Sequence, residues 1–290
     1  MRACANKMKN IISIDVEQWF HRPILNKYLG NVNKASEHVL KSVRVILHIL
    51  KKHEKRTTFF VLGKVAENVP EVIEEILKGG HEIAFHGYSH LPLSEIGCKE
   101  FEKEVQKGIG LLSHITREKV KGFRSPMFSL TKETVWALKT IDKFGFKYDS
   151  SIFPTITPLY GSKNAPTYPY NPSFEDPSKE DITQNKIIEL PILTRKYSFL
   201  RLPAGGGFYM RLFGVQFIRE SIKRINKEGY PAMCYFHPWE LSDFPKINMP
   251  FHKKFYAYYG IPCLDKFEQL IKSVEMVPAI ETLENMGWEK

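Results

Sequence analysis

Short apolar runs alternate with longer amphipathic runs along most of this chain of 290 residues. The short runs have the length and composition of buried strands, and the runs between them carry apolar residues at helical spacing, as in "SEHVLKSVRVILHILKKH". The clearest strand candidates are "NIISIDV", "RTTFFVLG", "HEIAFHG", "VKGFRSP" and "YPAMCYFHPW". This alternation is typical of βα units whose strands pair in parallel. The sequence therefore predicts an α/β fold, with about seven such units in a distorted, closed or partly closed parallel barrel.

The chain is predicted to form a single domain over residues 1–290, because its length can bury one large core. Residues 1–7 are expected to be a disordered leader, since Met8 is an alternative start. Residues 154–185 are rich in Pro, Tyr, Ser and Asn and have no regular period, so they are expected to be a long loop that shapes a binding site.

The composition limits the partners and the compartment. Lys and Arg number 42 and Asp and Glu 32, a net charge of +10, but no nucleic-acid-binding signature accompanies that charge. Anionic lipid headgroups or a lipid phosphate are the expected use of the positive charge. The start has no long apolar stretch, so the protein is expected in the cytoplasm, peripherally at the inner face of the membrane. The four scattered cysteines argue against a zinc knuckle and a disulfide framework.

Unusual polar residues stand where the predicted strands end. His86 and His90, in "FHGYSH", are four positions apart, a spacing that suits two ligands of a divalent metal if the segment makes one helical turn. The alternative is that both histidines have a purely structural role and fall close together by chance. In parallel barrels such positions converge on one rim, which strengthens the interpretation as a site.

Asp15 and Glu17, in "SIDVEQW", provide two carboxylates near the same rim. Alternate residues of a strand share a face, so both could point into the barrel mouth. Close carboxylates raise one another's pKa unless a cation binds one of them. If a metal binds one, the other remains as a general base; a solvated strand end is the alternative.

Six motifs in order resemble the NodB-homology polysaccharide deacetylases, carbohydrate esterase family 4. They are "SIDVEQWF", "TTFFVLGKVAE", "GGHEIAFHGYSH", "FRSPMFS", "YDSSIFP" and "YFHPWEL". The spacing of the two carboxylates, with the second two residues after the first, resembles that of the branch found near exopolysaccharide and exosortase loci. Residues from about 201 to 290 resemble that branch's own C-terminal part.

The resemblance implies a metal centre and a base. Asp15 would be the catalytic base, while Glu17, His86 and His90 would hold a divalent ion, with zinc favoured over cobalt, nickel or manganese. Arg124 would orient the base through a charge-assisted bond, although a surface salt bridge is its alternative. Many family members have Asp where this chain has Glu17, which adds one methylene of reach.

The resemblance also implies further site residues. His237, which would otherwise be interpreted as structural, would protonate the leaving amine. Asp149 either tunes His237 or caps a turn. A backbone N–H near Met127 is a candidate for holding the oxyanion. Substrate contacts are expected from the side chains that the six motifs place near the rim, namely Trp19, Met127, Phe128 and Trp239, with core packing as the alternative for the two tryptophans.

The expected function is metal-dependent removal of N-acetyl groups from an amino sugar in a surface polysaccharide or its lipid-linked precursor. A carbohydrate, lipid-linked or soluble, is the expected partner, and the sequence predicts no particular oligomeric state. Hydrolysis of a cyclic imide or ureide on the same scaffold is an alternative. A carbohydrate-binding protein without catalysis is another.

Overall fold

A computed structural model describes residues 8–21, 37–158, 160–183, 186–198, 200–242 and 261–288. The expected leader, residues 1–7, lies outside the described residues. Within the described ranges, no helix combines the length and the apolar character that crossing a bilayer requires.

Seven parallel strands form one curled sheet, which confirms the predicted α/β fold. The strands in chain order are β1 Ile11–Val16, β2 Thr58–Val61, β3 Glu82–Phe85, β4 Gly122–Phe123, β5 Tyr148–Asp149, β6 Ile188–Glu189 and β9 Met233–Phe236. Their spatial order is β6-β5-β4-β3-β2-β1-β9. The two edges approach one another at a parallel bridge between Ile192 and Met233, where the Leu193 N–H donates to the Met233 carbonyl at 2.8 Å. The sheet is thus a half-barrel whose two edges meet at this isolated bridge and not along a continuous ladder of strand-to-strand hydrogen bonds.

Helices follow most strands and cover the outside of the sheet. They are α1 Glu37–Lys52, α2 Gly63–Asn68, α3 Glu71–Lys78, α4 Leu93–Ile96, α5 Cys98–Thr116, α6 Trp136–Lys143, α7 Gly207–Phe213, α8 Val215–Lys227, α9 Ile261–Ser273 and α10 Ala279–Asn285. A separate antiparallel hairpin consists of β7 Thr194–Tyr197 and β8 Leu200–Pro203.

The alternation of side chains along β1 explains how this fold positions a polar site. All six residues of β1 are buried, as expected for a strand covered on both faces. Ile12, Ile14 and Val16 belong to the large apolar cluster that includes helix residues, whereas Ile11 belongs to the smaller cluster inside the barrel. Asp15 is at an odd position like Ile11, so it lies on the inner face, at the carboxyl end of the strand.

Candidate active site

The carboxyl ends of the strands surround one cavity of about 600 Å³. Asp15 comes from β1, Glu17 follows β1, His86 and His90 follow β3, and His237 follows β9. All five side chains line the cavity. The convergence predicted from the sequence is therefore present in the structure.

Glu17, His86 and His90 form a buried cluster with the composition of a metal site. One donor atom from each residue lies within 4.8 Å of the other two. The His90 Nε2 atom contacts the Glu17 carboxylate. The His86 Nδ1 atom is 2.9 Å from the backbone carbonyl of Arg124, so an N–H at Nδ1 would leave the Nε2 lone pair for a ligand role.

The protonation states and partners of these residues fit a divalent ion. Burial lowers the pKa of His86 to about 4, which favours the neutral, ligating imidazole. Burial alone would raise the pKa of Glu17, but the imidazoles of His90 and His237 outweigh it and hold that pKa well below its ordinary value. The Glu17 oxygen that His90 Nε2 contacts is Oε2, which is buried at the centre of the cluster. One carboxylate and two imidazoles are a donor set of catalytic zinc sites.

Arg124 holds Asp15 from the inside of the barrel. The guanidinium is fully buried and donates to Asp15 Oδ1 at 2.5 Å and to Ser13 Oγ at 2.8 Å. It also donates to the carbonyl and the hydroxyl of Ser150, at 3.1 and 2.9 Å, and lies 3.9 Å above the centre of the Phe60 ring. The charge-assisted bond fixes the carboxylate, whose second oxygen is 4.0 Å from His86 Nε2.

A second ion-pair network holds His237. Its Nδ1 atom is 3.0 Å from Glu240 Oε2, and Arg211 pairs with the other oxygen of Glu240 at 2.5 Å. Burial lowers the pKa of His237, but the carboxylates of Glu17 and Glu240 outweigh it and raise that pKa above its ordinary value. Burial raises the pKa of Glu240, and Arg211 together with His237 reverses this and lowers it to about 2. The His237 Nε2 atom lies 3.6 Å from Glu17 Oε1, at the cavity.

The expectation that Asp149 tunes His237 needs correction, because the carboxylate at Nδ1 of His237 belongs to Glu240. Asp149 is fully buried and accepts a hydrogen bond from the Ser151 hydroxyl at 2.5 Å. Burial raises its pKa to about 7 and raises that of neighbouring Glu189 well above the ordinary value, so we expect the two carboxyl groups to share a proton. Glu189 also accepts the Ile152 N–H at 3.0 Å. The pair therefore supports the turn after β5.

Three of the four predicted substrate-contact residues line the cavity, namely Met127, Phe128 and Trp239. Met127 and Phe128 have φ angles of 58° and 49°, a strained conformation for two consecutive residues with side chains. Trp239 stacks on His237 and donates its indole N–H to Glu17 Oε1 at 3.1 Å. Trp19 is 1% exposed, so the prediction that it contacts substrate is wrong: it belongs to the core.

The sequence analysis missed Glu240, although a signal was present. His237 precedes a 3₁₀ turn, Pro238–Glu240, and an acid three residues after a cap position can return to the cap backbone. The Glu240 carboxylate indeed accepts the His237 N–H at 3.0 Å. The glycine run "GGG" serves the same network, because a Cβ on Gly207 would lie 2.5 Å from Glu240 Oε2.

Two family models cover most of the chain. Residues 39–148 match the polysaccharide deacetylase family, and residues 150–284 match a domain of unknown function, DUF3473. Both segments contribute to the same sheet, since β6 and β9 lie in the second one. The DUF3473 segment also provides His237, Trp239 and Glu240, so the cavity depends on residues of both segments.

Known proteins with similar sequences or structures agree with these matches. The chain is 28% identical over 117 residues to a peptidoglycan-N-acetylglucosamine deacetylase of Bacillus cereus, covering 36% of this chain and 42% of that protein. It is 31% identical over 116 residues to a peptidoglycan deacetylase of Helicobacter pylori, covering 40% and 39%. The matches thus span less than half the length of these relatives.

A crystal structure from Mycobacterium smegmatis, assigned to the polysaccharide deacetylases, has a TM-score of 0.62 at 19% identity. That similarity covers 96% of this chain and 90% of the other and concerns the fold. Together with the family matches, it confirms the resemblance seen in the sequence. The chain therefore carries a polysaccharide deacetylase domain, of the NodB-homology type in carbohydrate esterase family 4, joined to a DUF3473 segment.

Proposed function

We propose that this protein is a metal-dependent hydrolase that removes the N-acetyl group from an amino sugar of a surface polysaccharide or of its lipid-linked precursor. One observation carries the proposal: Glu17, His86 and His90 converge at a cavity that Asp15 and His237 also line. A ligand cluster, a fixed carboxylate and a fixed imidazole are the groups that hydrolysis of an amide requires.

The metal would be held by Glu17, His86 and His90, and the donor set favours zinc. When bound, such an ion lowers the pKa of water and polarises an amide carbonyl. The residues of the chain provide the proton transfers. Asp15, held by Arg124, accepts the proton of the attacking water. His237, oriented by its bond to Glu240 and with Nε2 toward the cavity, donates a proton to the departing nitrogen.

The shape and lining of the cavity support a sugar substrate. A volume of about 600 Å³ is in the range of small-molecule sites. Its walls combine the polar cluster with aromatic rings, namely those of Phe128, Tyr160, Tyr209, Tyr235 and Trp239. The deacetylase names of the relatives agree with an N-acetylated sugar. The net charge of +10 favours a precursor that carries a lipid phosphate, and we place the reaction at the cytoplasmic membrane face as part of this proposal.

The test is acetate release by protein that has been stripped with a chelator and reloaded with zinc, cobalt, nickel or manganese. We expect turnover of N-acetylglucosamine oligomers or of a lipid-linked N-acetylated sugar, and loss of turnover in the Asp15→Asn variant. Asp181→Asn, at a partly exposed aspartate that does not line the cavity, is the matched control and should be fully active. Turnover of cyclic imides or ureides alone would overturn the proposal, and so would sugar binding without turnover under any metal.

A further inference from the structure

Exposed apolar side chains concentrate on one part of the surface. Four of them lie on the β7–β8 hairpin and at the end of α7: Tyr197 is 44% exposed, Leu200 53%, Leu212 49% and Phe213 39%. We name these four residues the hairpin face. Contiguous exposed apolar surface of this kind marks a site of interaction with a protein or a membrane.

Ring contacts join the two parts of the hairpin face. Tyr197 and Leu200 are opposite one another in the hairpin register. The Arg195 guanidinium lies 4.8 Å from the centre of the Tyr197 ring and 5.1 Å from that of the Phe217 ring. The Phe217 ring is in turn 4.8 Å from the Phe213 ring. The exposed residues of the hairpin and of α7 therefore belong to one continuous surface.

Positive charge is concentrated in the same segment. Residues 194–224 contain seven Lys and Arg and a single acid, Glu220, a net charge of +6 out of +10 for the whole chain. Three of the seven cations are in ion pairs, Arg195 with Glu220, Arg211 with Glu240 and Arg224 with Glu228. The positive excess that remains is carried by Lys196, Arg201, Arg219 and Lys223. Lys196 and Lys223 are exposed. Apolar side chains beside Lys and Arg suit an anionic lipid surface, whereas the centres of protein interfaces are poor in Lys.

The hairpin is attached to the mouth of the cavity. The Arg201 guanidinium donates to the backbone carbonyls of Pro154 and Ala165, at 3.2 and 2.7 Å. Pro203, at the end of β8, and Ile156, next to the Arg201 contact, both line the cavity. Ile156 is 68% exposed. Any external surface to which the hairpin face binds would therefore lie beside the opening of the candidate active site.

We propose that the hairpin face docks on an anionic phospholipid surface, with the cavity opening toward the headgroups. Leu212, Phe213, Tyr197 and Leu200 enter the interfacial region, and the exposed Lys196 and Lys223 contact lipid phosphates. Delivery of a lipid-linked sugar to the cavity rests on the proposed function. Docking itself is independent of catalysis, which gives the DUF3473 segment a second role besides completing the site.

The test is sedimentation of the full chain with vesicles of phosphatidylcholine alone or of equal parts phosphatidylcholine and phosphatidylglycerol. We expect binding to the anionic vesicles only, and release when NaCl is raised from about 0.1 M to about 1 M, because salt screens the attraction. The double variant Leu212→Ser, Phe213→Ser should bind roughly tenfold more weakly or worse, because it loses two apolar anchors. Ile182→Ser is the matched control, since Ile182 is 74% exposed outside the hairpin face, and its binding should be unchanged.

Acetate release from soluble N-acetylglucosamine oligomers separates docking from catalysis. The double variant should keep wild-type turnover of the soluble substrate, which also shows that it folds. If the wild type binds anionic vesicles but releases no acetate, the docking proposal stands and only the proposed function fails. The docking proposal fails if the wild type does not bind anionic vesicles or binds neutral vesicles equally well. It fails as well if the double variant binds anionic vesicles as strongly as the wild type does. It also fails if light scattering shows a wild-type dimer that the double variant dissociates, because the face would then join two copies.

Discussion

Asp149 and Glu189 form a buried carboxyl pair beneath the candidate active site, and the pair makes the fold sensitive to pH. Both pKa values are raised, that of Asp149 to about 7, chiefly by burial. Replacing Asp149 by Asn keeps the size of the side chain and provides an amide N–H for Glu189 in place of the shared proton. We therefore expect Asp149→Asn to remove much of the loss of stability that this pair alone contributes to the wild type between pH 5 and pH 8.

The direction follows from proton linkage. Below about pH 4, the aspartyl group is protonated in both states and the pair contributes fully to stability. As the pH rises toward 7, the unfolded chain loses its proton while the folded chain keeps it, so the free energy of unfolding falls. One proton changes it by at most about 1.4 kcal/mol per pH unit, which with a folded pKa near 7 gives roughly 2.7 kcal/mol from pH 5 to 8. That amount corresponds to roughly 5 °C in Tm for a chain of this size.

Thermal and urea unfolding at pH 5 and pH 8, with chelator present throughout, measure the effect. The quantity compared is the difference in free energy of unfolding between the two pH values, wild type against Asp149→Asn. Asp181→Asn is the control, because its carboxylate, whose pKa is lowered by the hydrogen bond from the Thr183 hydroxyl, is ionised in both states over this range. An unchanged pH dependence in Asp149→Asn would refute the shared proton.

Three further substitutions address the support of the site. Glu240→Gln should lower kcat by about 10- to 100-fold with little change in KM, because His237 loses the carboxylate at Nδ1. If steady-state kinetics give this variant the kcat of the wild type, the role assigned to Glu240 is wrong. Gly207→Ala places a Cβ 2.5 Å from the Glu240 carboxylate and should reduce both activity and Tm, whereas Gly110→Ala, with no neighbour within 4 Å, should not. Trp239→Phe removes an N–H donor from the acidic metal ligand and should weaken zinc affinity by about tenfold in a competition titration.

The sequence predicted the sheet and the main site because both depend on local pattern. Strand β1 has apolar residues except at Ser13 and Asp15, and alternation alone places Asp15 on the inner face. His86 and His90 could be assigned to a strand end from the apolar run before them. Parallel strands then bring these ends together without any further information.

The errors arose where the outcome depends on tertiary packing. Of the two roles predicted for Asp149, tuning His237 is wrong and a role in a turn is retained, because its partner Glu189 comes from the neighbouring strand β6, a pairing that local pattern does not reveal. Trp19 follows the segment that carries Asp15 and Glu17, yet it packs into the core. The β7–β8 hairpin was not predicted either, because its exposed apolar residues, such as Leu200, do not show the alternation of a half-buried strand.

Calorimetric titration of chelator-treated protein with zinc tests whether Glu17, His86 and His90 hold the metal while Asp15 serves as the base. We expect the wild type and Asp15→Asn each to bind one ion per chain, and Asp15→Asn to release no acetate. Glu17→Gln and His86→Ala should lose most of the zinc affinity, because each removes one of the three clustered donors. Unchanged zinc binding in Glu17→Gln and His86→Ala, or loss of zinc in Asp15→Asn, would contradict the assignment of ligands and base.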